Sequence, residues 1–124
     1  MNLHRSVASL AAAFFLVLWA NASAFAHAEL RRATPTAGGS VSTAPTEVVL
    51  NFSEQLEASF SSVVVRDSVG KRVDKADARV DPGDHTSMRV TLQSIPNGTY
   101  IVVWRALTAD THRTEGAFLF RVGE

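Results

Sequence analysis

Short apolar stretches separated by turn residues run along most of the chain. They are rich in Val, Ile, Phe and Tyr, which favour strands, and residues 88–92 alternate strictly between apolar and polar positions. Gly, Pro, Asn and Asp cluster between the stretches, at residues 67–70, 81–84 and 95–98. The predicted strands are residues 47–52, 59–66, 71–73, 88–92, 99–106 and 116–122. This pattern predicts an all-β sandwich or small barrel, with at most one helical turn near residues 53–58.

The aromatic residues fit the interior of such a fold. Trp104 lies in the middle of the longest stretch, and we expect its indole in the core with the N–H bonded to a carbonyl group. We expect four phenylalanines in the core or on a sheet face: Phe52, Phe60, Phe118 and Phe120.

Residues 1–26 have the three parts of a secretory signal. Residues 1–5 are short and weakly basic, residues 7–20 are apolar apart from one serine, and residues 24–26 read Ala-Phe-Ala, a small-x-small cleavage site. The alternative is an uncleaved membrane anchor, but a spanning helix needs about 20 apolar residues and this run is shorter. We therefore expect cleavage before His27 and export to the periplasm of a mature protein that is not embedded in the membrane.

Removal of the signal leaves residues 27–124, enough for one domain. The chain has no cysteine, which excludes disulfides, thiolate zinc sites and cysteine nucleophiles. Only Arg5 is lost from the 12 basic residues, so 11 remain against 12 acidic residues. This near-neutral balance offers no charged surface for nucleic acid or anionic lipid.

Two places in the mature chain hold groups that can bind a metal. A histidine at a free N-terminus offers its α-amine and its ring Nδ1, which together can chelate one ion, and the predicted cut would place His27 there. Asp110 and His112 are two residues apart, and on an extended segment such residues point to the same side. The Asp-x-His pair alone is weak evidence, because a solvated loop with an Asp–His hydrogen bond has the same spacing.

The three residues together would supply three nitrogen donors and one oxygen donor. Such a set suits tetragonal Cu(II), which also has the highest affinity of the first-row divalent ions. Zinc is the competitor, because it accepts the same ligands, although it prefers a tetrahedral arrangement. Binding needs a deprotonated amine and neutral imidazoles, so the affinity should fall as the pH drops through the histidine range.

The mature chain resembles the CopC family of periplasmic copper-binding proteins over its whole length. The matching motifs are His27-Ala28-Glu29-Leu30, Thr34-Pro35-Thr36-Ala37-Gly38, Ala44-Pro45, Leu50-Asn51-Phe52-Ser53-Glu54, Gly98-Thr99-Tyr100, Trp104-Arg105, Ala109-Asp110-Thr111-His112 and Gly116-x-Phe118-x-Phe120-x-Val122. The resemblance implies an immunoglobulin-like Greek-key β-sandwich or barrel of about seven strands. It also implies one Cu(II) ion per chain, bound by His27, Asp110 and His112. Glu54 is implied as an axial or outer ligand, with a surface carboxylate at a strand end as the alternative.

Some members of this family carry a methionine-rich loop that binds Cu(I). The corresponding residues 65–76 contain neither Met nor His. His85 and Met88 lie in a later loop and are too sparse to rebuild such a site, so the resemblance implies a member that binds only Cu(II). We expect His85 to be a solvated loop residue. It also implies a copper transporter of the CopD type in the inner membrane as a partner, and a monomer is the expectation for so small a domain.

Two other functions fit parts of the pattern. Copper oxygenases of polysaccharides also hold their metal with an N-terminal histidine and a second imidazole, but a carboxylate ligand in the plane would occupy the position that dioxygen needs. A metal-free immunoglobulin-like interaction module would leave the combination of His27, Asp110 and His112 without a role. We therefore predict a non-enzymatic copper-binding protein for sequestration, resistance or delivery, and the sequence leaves the direction of copper flow open.

Overall fold

The computed structural model describes residues 28–123, and two four-stranded sheets packed face to face make up this part of the chain. The strands are β1 (Leu30–Thr34), β2 (Ser40–Val41), β3 (Glu47–Phe52), β4 (Ser62–Asp67), β5 (Arg79–Asp81), β6 (Asp84–Thr91), β7 (Gly98–Leu107) and β8 (Arg113–Val122). A single 3₁₀ turn at Ala58–Phe60 precedes β4. No helix within the described residues is long and apolar enough to cross a membrane.

The first sheet has the strand order β1-β3-β6-β5 and the second has the order β2-β8-β7-β4. All neighbouring strands are antiparallel except β2, which runs parallel to β8. The predicted all-β sandwich is confirmed, with eight strands in the described residues where about seven were expected. Tyr100, near the start of β7, donates its hydroxyl to the carbonyl oxygen of Pro96 at 2.5 Å, as the tyrosine corner of immunoglobulin-like sandwiches does.

The core lies between the two sheets, and each strand directs the side chains of one face into it. In β3 the side chains alternate between buried and half-buried positions, as expected for a strand with one face against the core. The predicted core position of Trp104 is confirmed: it is 8% exposed, and its ring meets that of Phe52 edge to face with centroids 5.1 Å apart. The core expectation fails for Phe60, which is 66% exposed on the 3₁₀ turn and outside the strand pattern.

The structure also corrects the boundaries of several predicted elements. β6 begins at Asp84, four residues before the predicted strand, so the expected loop around His85 and Met88 is part of a strand. His85 is exposed as predicted, and Met88 is fully buried in the core. Residues 71–73 were predicted as a strand and make only an isolated bridge, between Arg72 and Arg66.

Residues 71–76 instead connect the two sheets through the side chain of Asp74, which is fully buried. Its carboxylate accepts hydrogen bonds from the amides of Val65 and Ala76, both at 2.8 Å. It also forms an ion pair with Arg72, with a nitrogen–oxygen distance of 2.9 Å. Asp74 also makes a backbone bridge with Leu92, just beyond β6. Burial by itself would raise the pKa of Asp74, but the bonds from Arg72 and the two amides outweigh it and leave the pKa below the usual value.

Candidate metal centre

The Asp-x-His motif lies on the tight loop between β7 and β8. The backbone N–H of Thr108 donates to the carbonyl oxygen of His112 at 2.9 Å, and the N–H of Thr111 donates to the carbonyl oxygen of Thr108 at 2.9 Å. Thr111 closes the turn with a positive φ of 71°, a conformation that residues other than Gly, Asn and Asp seldom adopt. The loop is therefore a closed turn. The prediction that Asp110 and His112 lie on an extended segment is wrong.

The turn nevertheless brings the side chains of Asp110 and His112 together, as predicted. Oδ1 of Asp110 lies 3.2 Å from Nδ1 of His112. The His112 side chain is 34% exposed and the Asp110 side chain 67% exposed, but Nδ1 of His112 is itself buried, so the open side of the pair is that of Asp110. The hydroxyl of Thr108 donates a hydrogen bond to Asp110 Oδ1.

The carboxyl group of Asp110 is held in its ionised form. The hydrogen bond from the Thr108 hydroxyl, followed by the bond from the His112 ring, lowers the pKa of Asp110 below its usual value. An ionised carboxylate beside an imidazole is a pair of donors that divalent metal ions accept.

The spacing of these two donor atoms suits a shared metal ion. Bonds to imidazole nitrogen and carboxylate oxygen are about 2.0–2.2 Å long, so two ligands at a right angle on one ion lie about 2.8–3.1 Å apart. The 3.2 Å between Asp110 Oδ1 and His112 Nδ1 is close to that separation. In the metal-free pair this separation is that of the bond from the His112 ring to Asp110, so an ion bound at Nδ1 would replace the proton that the ring donates there.

Residues 53–55 connect this loop to the beginning of the described chain. Ser53 donates its N–H to the carbonyl oxygen of Glu29 at 2.9 Å, and its hydroxyl accepts the N–H of Glu29 at 2.8 Å. Two residues further on, the carbonyl oxygen of Gln55 accepts the N–H of Ala109 at 3.0 Å. The beginning of the described chain and the Asp-x-His loop are therefore attached to opposite ends of the three-residue segment 53–55.

His27, the first predicted ligand, lies outside the described residues. Glu54, the predicted axial or outer ligand, is exposed and lies between Ser53 and Gln55, the two residues that make these backbone contacts. Among residues 28–123, no group of three or more His, Cys, Asp or Glu side chains is arranged to hold a metal ion. Asp110 and His112 thus form a pair of donors that needs a further ligand from elsewhere.

Sequence reasoning did not find Thr108, whose fully buried side chain lies between the two predicted ligands. The signal that could have found it is a threonine placed two residues before an aspartate in a loop, because Ser and Thr hydroxyls commonly bond to nearby loop groups. His85 lies near the same end of the sandwich. Its carbonyl oxygen accepts a hydrogen bond from the N–H of Leu56 at 2.9 Å.

The sequence matches the family model described as the CopC domain over residues 30–123. It is 36% identical over 123 residues to copper resistance protein C of Pseudomonas syringae pv. tomato, covering 94% of each chain. It is also 32% identical over 111 residues to the copper transport protein CutJ of Bacillus subtilis, covering 89% of this chain and 20% of that protein.

Solved structures agree with these sequence matches. The fold is similar to the crystal structure of CopC from Methylosinus trichosporium OB3b, with a TM-score of 0.72 and 31% identity over 77% of this chain and 93% of that chain. It is also similar to PcoC, described as a methionine-rich copper resistance protein from Escherichia coli, with a TM-score of 0.67 and 38% identity over 78% of this chain and 99% of that chain.

Proposed function

The chain belongs to the CopC family of copper resistance proteins, and from this premise we propose that it is an exported carrier of Cu(II). Copper binding is implied by the family, whose members are periplasmic and generally non-enzymatic. The oxidation state, the ligands, the stoichiometry and the transfer partner are the parts that we propose.

We assign one Cu(II) ion to a site with four donors: the amine and ring of His27, the ring of His112 and the carboxylate of Asp110. The observation that carries this assignment is the 3.2 Å between Asp110 Oδ1 and His112 Nδ1, which suits two neighbouring ligands on one ion. Three nitrogens and one oxygen without sulfur favour Cu(II) over the softer Cu(I).

The contacts at the beginning of the described chain support a ligand from the residue that precedes it. Ala28 is 2% exposed, and its neighbour Glu29 is bonded to Ser53 in both directions. The predicted signal over residues 1–26 supports cleavage that frees the amine of His27. Glu54 stays in the proposal as an axial or outer ligand, because it is exposed and lies between Ser53 and Gln55, which contact the chain start and the Asp-x-His loop.

The distribution of methionine supports a site for Cu(II) alone. Met88 is the only methionine in residues 28–123, and its side chain is fully buried in the core. A buried thioether cannot join a surface site, and Cu(I) would require several soft ligands. The similar PcoC is described as methionine-rich, so the two proteins differ in this respect.

Delivery to a transporter in the inner membrane, of the CopD type, is supported by one relative. The chain matches 20% of CutJ, a much longer protein named for copper transport. A domain like this one is therefore part of a protein named for copper transport in Bacillus subtilis. A separate carrier would transfer its copper ion to a transporter that is a different chain. We expect this carrier to be a monomer.

Calorimetric titration with Cu(II) tests the ligand assignment on the mature chain beginning at His27. We expect one ion per chain, and a loss of affinity in both Asp110→Asn and His112→Ala larger than the 10–100-fold typical of residues that only support a ligand. Electron paramagnetic resonance should show a tetragonal, nitrogen-rich centre in the unaltered chain and fewer nitrogen couplings in His112→Ala.

His85→Ala is the matched control, because it removes another exposed histidine near the same end of the sandwich. Its affinity should stay within about threefold of the unaltered chain. Tight binding that survives His112→Ala but is lost in His85→Ala would contradict the assignment. Glu54→Gln tests the axial position, and a changed resonance spectrum with a small change in affinity is the expected result.

A further inference from the structure

The hydroxyl of Thr108 contacts both residues of the Asp110–His112 pair. Thr108 is fully buried, although it belongs to a loop whose next three residues are all exposed. Its Oγ1 donates to the carboxylate of Asp110 and accepts the backbone N–H of His112 at 3.0 Å. One buried oxygen atom thus bonds to the side chain of one candidate ligand and to the backbone of the other.

The direction of these bonds follows from the chemistry of a hydroxyl group. Thr108 has a single O–H proton and two acceptor lone pairs. The carbonyl oxygen of His112 lies 3.2 Å from Oγ1, but it already accepts the Thr108 N–H at 2.9 Å. The ionised carboxylate of Asp110 is the stronger acceptor, so the proton goes to Asp110 and a lone pair accepts the N–H of His112.

We infer that Thr108 is a positioning residue for copper, which fixes the carboxylate of Asp110 toward the imidazole of His112 before the ion arrives. The Asp110 side chain is 67% exposed, so its bonds with the Thr108 hydroxyl and the His112 ring, and not burial, limit its rotation, and only the Thr108 hydroxyl is itself fixed in the core. A ligand that is already oriented loses less conformational freedom on binding. The inference rests on the proposed copper site and adds a residue that does not itself touch the metal.

Two substitutions separate the hydroxyl group from the shape of the side chain. Thr108→Val keeps the branched shape and removes the hydroxyl, and Thr108→Ser keeps the hydroxyl and removes a methyl group. We expect Thr108→Val to lower the Cu(II) affinity 10–100-fold, the range typical of residues that orient metal ligands, and Thr108→Ser to stay within about threefold. Thr108→Ala removes the hydroxyl without placing a methyl group against the His112 amide. If Thr108→Val does not fold, Thr108→Ala should show the same loss of Cu(II) affinity.

Ser61→Ala is the matched control for loss of a loop hydrogen bond. The Ser61 hydroxyl accepts a hydrogen bond from the N–H of Leu107 at 3.1 Å. Leu107 precedes Thr108 in the chain, and this bond does not involve Asp110. This variant should unfold at a lower temperature and keep its copper affinity. A fall in affinity equal to that of Thr108→Val would show that general loosening of the loop is responsible, which would overturn the inference.

A double-mutant cycle and a measurement without copper complete the test. If Thr108 acts through the carboxylate, Thr108→Val should cost little affinity in an Asp110→Ala background. In the metal-free protein, three-bond NMR couplings should show one χ1 rotamer of Asp110 in the unaltered chain and in Thr108→Ser, and averaged rotamers in Thr108→Val. A single rotamer in Thr108→Val would overturn the inference whatever the copper result. Absence of tight Cu(II) binding by the unaltered chain would instead refute the proposed function.

Discussion

Replacing the buried carboxylate of Asp74 with an amide tests how residues 71–76 hold the two sheets together. In Asp74→Asn one oxygen remains as an acceptor, while the new NH₂ group faces a donor that it cannot bond. The Val65 and Ala76 amides each lie 2.8 Å from a different oxygen of Asp74, so one of them loses its partner. A hydrogen bond to a charged group contributes about 1.5–3 kcal/mol, and a buried donor without a partner costs about 1–3 kcal/mol.

The ion pair with Arg72 adds less than these amide bonds. The Arg72 side chain is 43% exposed, so water replaces much of the lost interaction when the charge of Asp74 is removed. The expected loss in the free energy of unfolding at pH 7 is therefore about 2–4 kcal/mol. Urea denaturation followed by tryptophan fluorescence measures it, since Trp104 lies in the core.

The loss should depend on pH in a fixed direction. The pKa of Asp74 is lowered in the folded state, because the bonds from Arg72 and the two amides outweigh the effect of burial. The stability that this carboxylate contributes is fully present above the unfolded pKa of about 3.9, and it is lost as the pH falls through the folded pKa. The difference between the original protein and Asp74→Asn should thus shrink as the pH falls from 7 to 3.

Asp77→Asn is the matched control. Asp77 accepts the Thr91 N–H at 2.8 Å and pairs with Arg79 at 3.1 Å, but its side chain is 41% exposed. Its loss should be much smaller than that of Asp74→Asn. Equal effects of the two substitutions, or an Asp74→Asn difference that stays constant from pH 7 to pH 3, would refute this account of Asp74.

Three further substitutions test the packing around the sheets. Gly116→Ala should lower stability by about 1–3 kcal/mol in thermal unfolding, because the new Cβ would lie 2.6 Å from a ring carbon of Trp104; an unchanged melting temperature would contradict this packing. Tyr100→Phe should cost about 1 kcal/mol through loss of the bond to Pro96, and full stability would mean that water replaces it. Met88→Leu should cost less than about 1.5 kcal/mol and leave Cu(I) binding in a competition titration unchanged; weaker Cu(I) binding would contradict the core assignment.

The strands that the sequence predicts well are those with a regular apolar pattern. Residues 47–52 form β3 with the predicted bounds, and the long strands β7 and β8 extend the predicted ones by a few residues. β1 and β2 were missed because they are short and find their partners far along the chain, in β3 and β8. Such pairing depends on tertiary contacts, which local propensity does not contain.

The candidate site was predictable in part, for a similar reason. The Asp-x-His spacing is visible in the sequence, and it correctly suggested that Asp110 and His112 lie together. The role of Thr108 depends on the positive φ of Thr111, which folds the loop back so that one hydroxyl meets both residues. That conformation follows from closing the turn between β7 and β8, and no periodic pattern in the sequence records it.

Copper binding through the free amine of His27 is what distinguishes the proposed site from an ordinary Asp–His pair. It is tested most directly by Cu(II) titration of two versions of the mature chain. One begins at His27 and the other carries a single extra Gly before it, which moves the free amine away while leaving Asp110 and His112 unchanged. Tight one-to-one binding in the first version and much weaker binding in the second is the predicted result. Equal affinity in both would contradict the claim, because the amine could then not be a ligand.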